Sequence, residues 1–156
     1  ISLSTDMLVL VINKNTKNDT SFMELNKKSK NYLSKTIKSH LDQPGSSILL
    51  PKTDGINAKH ILLVKGLDVD APTHKWLSLY KSIAQKGNQN KCKDISVMPG
   101  TVSPKGKDEL WLIEMVSKTI ESNVYIFSET KNKTSKNPSV KRLTILCHAL
   151  CSRAST

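Results

Sequence analysis

Met7-Leu8-Val9-Leu10-Val11-Ile12 is an unbroken apolar run of strand length, and its reading decides the fold. A strand with one wet face alternates apolar and polar residues. A run that is apolar at every position belongs to a strand covered on both faces, which in turn requires a sheet with helices on either side.

The neighbouring segments supply those helices and further strands. After a polar connection from Asn13 to Asp19, Ser21 and Glu24 have the spacing of a capping box. Phe22, Leu25, Leu33, Ile37 and Leu41 then follow at near-helical spacing, with Lys27, Lys28, Lys30, Lys35 and Lys38 between them, which predicts one amphipathic helix with a basic outer face. Pro44-Gly45 closes that region. Ser47-Ile48-Leu49-Leu50 and His60-Ile61-Leu62-Leu63-Val64 read as a hairpin or as neighbouring strands.

Asp68 to Pro72 is a loop into a second helix, which starts at Thr73, carries Trp76, Leu79, Tyr80 and Ile83, and should end near Gly87. Ile95-Ser96-Val97-Met98 is a further strand stopped by Pro99-Gly100, and Asp108 precedes a third helix carrying Leu110, Trp111, Met115 and Ile120. Val124-Tyr125-Ile126-Phe127 reads as a separate apolar knot, Lys131 to Pro138 as a polar loop, and Leu143 to Cys147 as the last strand. The expected fold is therefore α/β, with a mixed central sheet flanked by helices.

The chain has 156 residues, enough for one core of ordinary size. Its 24 Lys and Arg against 13 Asp and Glu leave a charge of +11. Such a charge would draw nucleic acid or an anionic surface if it were gathered on one face. Only Arg142 and Arg153 are arginines, however, and the bidentate grip on phosphate favours that side chain. The acid-free stretch containing Lys131, Lys133, Lys136, Lys141 and Arg142 is the most one-sided, and it predicts at most weak, salt-sensitive binding to nucleic acid. No apolar stretch reaches the ~20 residues of a membrane span, so no membrane association is expected. The odd count of cysteines, Cys92, Cys147 and Cys151, suits a reducing cytoplasm.

Residue chemistry supplies no active site. Six glycines are scattered at positions 45, 55, 66, 87, 100 and 106, so neither a P-loop nor a dinucleotide fingerprint can form. Gly66 follows a strand and reads as a turn. Cys147, His148 and Cys151 cluster three metal-ligating types, but no second pair accompanies them and Cys147 ends an apolar strand. No Gly-x-Ser-x-Gly element presents a nucleophile. Asp108 with Glu109, and Asp68 with Asp70, fit helix starts and turns, which recruit acids for local hydrogen bonds. No catalytic, cofactor-binding or metal-binding residue is expected in the chain.

The order of segments carries more information than any one of them. Asp6 to Val11, Phe22-Met23-Glu24-Leu25-Asn26, Gly45 to Leu50, His60 to Leu67 with its Lys65-Gly66-Leu67 ending, and Tyr125-Ile126-Phe127-Ser128-Glu129-Thr130-Lys131 together resemble the amino-terminal domain of cytosol (leucyl) aminopeptidases, over roughly residues 5 to 148.

The resemblance implies a macro-domain-like three-layer arrangement and a non-catalytic module at residues 1–148. Residues 149–156 would begin a linker to an absent catalytic domain. The parent enzyme, by the same resemblance, is a cytoplasmic homohexamer that releases amino-terminal residues from peptides with two divalent metals, zinc or manganese, held outside this fragment. Its metal-binding signature Asn-Thr-Asp-Ala-Glu-Gly-Arg does not occur here. Leu63-Val64-Lys65-Gly66-Leu67-Asp68-Val69-Asp70 echoes a metal-ligating segment of that catalytic domain. It lacks the glycine before Lys65, so Lys65 and Asp70 are rejected as ligands. Two further classes stay open: a basic nucleic-acid-binding module, and an ADP-ribose site that would come with a macro-like fold, although its Gly-rich loops are not visible.

Overall fold

A computed structural model describes residues 4–13, 19–99, 102–129 and 140–146, with the backbone alone for 124–129. The order of elements is β1 (Thr5–Ile12), α1 (Thr20–Lys28), α2 (Tyr32–His40), β2 (Ser47–Leu50), β3 (Ala58–Lys65), α3 (Thr73–Gln89), β4 (Asp94–Met98), α4 (Glu109–Glu129) and β5 (Arg142–Ile145). The strands form one sheet in the order β2-β3-β1-β4-β5. β1 lies parallel to both β3 and β4, β4 parallel to β5, and the edge strand β2 runs antiparallel to β3 with Ser47 opposite Val64.

The apolar run does what its composition requires. Met7, Val9 and Val11 face one side of the sheet and pack with Leu62, Val64, Ile95 and Val97 against Trp76, Tyr80 and Ile83 of α3 and Leu112, Val116 and Ile120 of α4. Leu8, Leu10 and Ile12 face the other side and pack with Ile61 and Leu63 against Phe22 and Leu25 of α1 and Leu33 of α2. Period-two alternation thus builds two cores from one strand, giving the three-layer α/β/α arrangement.

Four local readings are corrected. The predicted capping box does not form. Asp19 takes the N-cap position instead and its carboxylate accepts the Ser21 N–H at 2.8 Å, while Glu24 pairs with Lys28 at 3.0 Å. The single basic helix is two helices, because Lys30 and Asn31 adopt φ of 54° and 63°. The Asn26 side chain bridges that break: its Oδ1 accepts the Ser34 N–H at 3.1 Å and its Nδ2 donates to Asn31 Oδ1 at 3.2 Å.

Gly87 lies inside α3, where a Cβ would run into Ile95 of β4, so glycine permits close helix–sheet approach and does not end the helix. The segment Val124 to Phe127 continues α4. Gly55, at φ 83°, sits against the Lys28 carbonyl, which leaves no room for a side chain.

Candidate functional site

In a sheet of this kind, ligands bind beyond the carboxyl ends of parallel strands, where successive connections leave in opposite directions. Here the chain leaves β1 through the α1–α2 layer and β2 to reach β3 on one side, and leaves β4 through α4 to reach β5 on the other. The switch point therefore lies between the ends of β1 and β4, at Ile12-Asn13 and Met98-Pro99. The Gly66 N–H donates to the Ile12 carbonyl at 2.8 Å, and a Cβ on Gly66 would meet the Asn13 side chain. Gly66 does not have positive φ, so its role is to admit Asn13 and not to turn the chain. The loop sequence that follows, Lys14-Asn15-Thr16-Lys17-Asn18, contains no glycine, and Gly100 is the only one directly after β4.

A larger cleft, about 780 Å³, opens beside the first turns of α3, between that helix and the Gln43-Pro44-Gly45 segment. Asp68, Asp70 and Lys75 stand on its rim, with Leu67 and Leu79 in its floor. Lys65 does not turn toward Asp70: its ammonium donates to the Asp42 carbonyl at 2.6 Å. His40, His60 and His74 fall on α2, β3 and α3 respectively. Among the described residues no group of three or more His, Cys, Asp or Glu converges, so the donors present do not fit a metal ion. Cys92 is a buried thiol whose titration is pushed up by burial. Cys147, His148 and Cys151 lie outside the described residues.

The basic surface divides in two. Lys27, Lys28, Lys30, Lys35 and Lys38 are exposed on the outer side of α1 and α2, where Glu24 is the sole acid. Lys131, Lys133 and Lys136 lie outside the described residues, Lys141 is exposed, and Arg142 Nε rests 3.6 Å from Asp94.

One contact escaped the sequence. Lys86 Nζ of α3 donates to Ser47 Oγ at the start of β2. The two residues are 39 positions apart, so no spacing could have joined them.

The architecture is that of a macro-like domain. A Trypanosoma brucei macrodomain in complex with ADP-ribose superposes over 98% of this chain and 62% of its own, with a TM-score of 0.70 and 14% identity. A tomato leucine aminopeptidase mutant does so over 94% of this chain and 30% of its own, with a TM-score of 0.66 and 17% identity. At these identities the likeness is one of fold. The sequence goes further: the model of the cytosol aminopeptidase family, N-terminal domain, matches residues 8–134, and the chain belongs to that family. A probable cytosol aminopeptidase of Haemophilus influenzae strain PittEE is 25% identical over 136 residues, which cover 85% of this chain and 28% of that protein. The chain thus spans under a third of the length of the curated relatives it matches.

Proposed function

We propose that this chain is the non-catalytic amino-terminal domain of a cytosol leucyl aminopeptidase, with the domain at residues 1–148 and the start of a linker at 149–156. The full-length protein would remove amino-terminal residues from peptides in the cytoplasm, as a homohexamer, on a catalytic domain carrying two divalent metals, zinc or manganese. The family match over residues 8–134 carries this reading. The partner of this domain is then its own catalytic domain. The chain is incubated with Mn²⁺ or Zn²⁺ and leucine amide. No turnover above a buffer blank is expected, and turnover would sink the reading.

The exposed lysines of α1 and α2 favour one second reading, a surface for polyanions such as duplex DNA. Binding would be independent of sequence and lost with salt, since no arginine fork lies among those lysines. A low-salt titration without retention of duplex DNA dismisses it.

A further inference from the structure

Tyr32 leaves an aromatic ring in water. It is 44% exposed at the first position of α2, whereas the other large apolar side chains exposed among the described residues, Met23, Val69, Leu77 and Leu110, have no ring. No cation covers it: the cation–π contact of the described residues is Lys107 over Trp111, and Trp111 packs against the core on the opposite side of the sheet. Lysines flank it in the chain. Lys30 stands two residues before Tyr32, Lys35 three residues after it on the same helix face, and Lys27 lies in the last turn of α1, its carbonyl accepting the Lys30 N–H at 3.0 Å. All three are exposed, and none has a carboxylate partner among the described residues, since Glu24 already pairs with Lys28.

The break between the helices holds this corner in shape. The Asn31 N–H donates to the Asn26 carbonyl at 2.8 Å and the Tyr32 N–H to the Ser29 carbonyl at 3.1 Å, while the Asn26 side chain reaches both Asn31 and Ser34. The ring and the three ammonium groups are therefore presented together with little further ordering of the backbone. Charge alone does not separate one polyanion from another, but the ring does. In a duplex each base is stacked between its neighbours, so a protruding ring finds no base face there. An unpaired base has its faces free, and an aromatic side chain within a basic surface is the platform on which such bases stack.

We propose that the corner between α1 and α2 binds single-stranded nucleic acid, an unpaired base stacking on Tyr32 while Lys27, Lys30 and Lys35 hold the neighbouring phosphates. This rests on the polyanion reading of the α1 and α2 lysines and narrows it. Neither kind of contact reads the sugar or a base edge, so DNA and RNA strands are held alike and without sequence preference.

The test is a fluorescence-anisotropy titration at low salt, with an oligothymidylate of about twelve nucleotides and a hairpin duplex of equal phosphate number as probes. The duplex should bind through charge alone, and the single strand at least about fivefold more tightly. Tyr32→Ala should weaken the single strand roughly tenfold and leave the duplex within about twofold, and Tyr32→Trp should keep the preference. The Tyr32 side chain is exposed and the Thr36 hydroxyl bonds only to its backbone carbonyl, so these substitutions leave the packing in place. Equal or tighter binding of the duplex overturns the proposal and leaves the polyanion reading standing, and so does a single-strand preference that persists in Tyr32→Ala. Retention of neither probe overturns both.

Discussion

The Asp6 carboxylate on β1 accepts the backbone N–H of Lys93 at 2.8 Å, tying the start of the central strand to the residue that leads into β4. The same carboxylate holds Lys59 of β3 at 2.9 Å, so one side chain joins three adjacent strands at their amino ends. The Lys59 contact, then the Lys93 N–H, keep Asp6 below its ordinary value of 3.8. Asp6→Asn should cost about 1–2 kcal/mol near neutral pH, in the range of a charge-assisted hydrogen bond discounted for an exposed lysine. The unfolded chain takes up the proton first as pH falls, so the contribution of Asp6 is full above 3.8 and disappears as pH drops through the lower folded value. Urea unfolding of both forms across that window should show the difference closing toward acid.

Gly55→Ala should be among the costlier single changes in the chain. Its φ of 83° is unfavourable for alanine, and the added Cβ meets backbone, the Lys28 carbonyl, which cannot rotate away. A loss of roughly 2–4 kcal/mol is expected. Thermal melting read against Gly106→Ala separates the two causes, because Gly106 has a φ of 77° but nothing near its Cβ.

Tyr80→Phe should be neutral or stabilising, by up to about 1 kcal/mol. Tyr80 is wholly buried between α3 and the sheet, its hydroxyl has no hydrogen-bond partner among the described residues, and burial pushes its ionisation up. Removing an unsatisfied hydroxyl while keeping the ring preserves the packing. A fall in Tm would show that the hydroxyl is in fact satisfied.

Calorimetric titration with ADP-ribose should show no saturable binding. The fold is shared with macrodomains, but Asn13 fills the space over Gly66 at the switch point, and the sequence after β1 offers side chains where a phosphate would require bare backbone. Heat that saturates at one equivalent would return the nucleotide reading to consideration.

The sheet was legible because burial on both faces leaves an unmistakable pattern, Met7 through Ile12 without a polar residue. The two short helices were less so. Leu25 and Leu33 are eight residues apart, a gap in the apolar stripe that coincides with the break at Lys30-Asn31. The capping box misled because Ser21 and Glu24 have the right spacing while Asp19, two residues earlier, has the stronger local hydrogen bond. Val124 to Phe127 is apolar at four consecutive positions, which conceals helical periodicity even though the helix runs through it. The Lys86–Ser47 contact was not legible, because pairing across layers depends on how a helix settles on a sheet edge.

The break at Lys30-Asn31 also divides the layers into unequal partners in time. Phe22 and Leu25 anchor α1, and Leu33 and Thr36 anchor α2, whereas α3 buries six residues along an uninterrupted 17. Helices this short have little cooperativity of their own. Amide protons of α1 and α2 should therefore exchange with solvent through a partial opening that leaves the sheet and α3 intact. In such an opening Leu8, Leu10 and Leu63 become the first core surface that another molecule could meet.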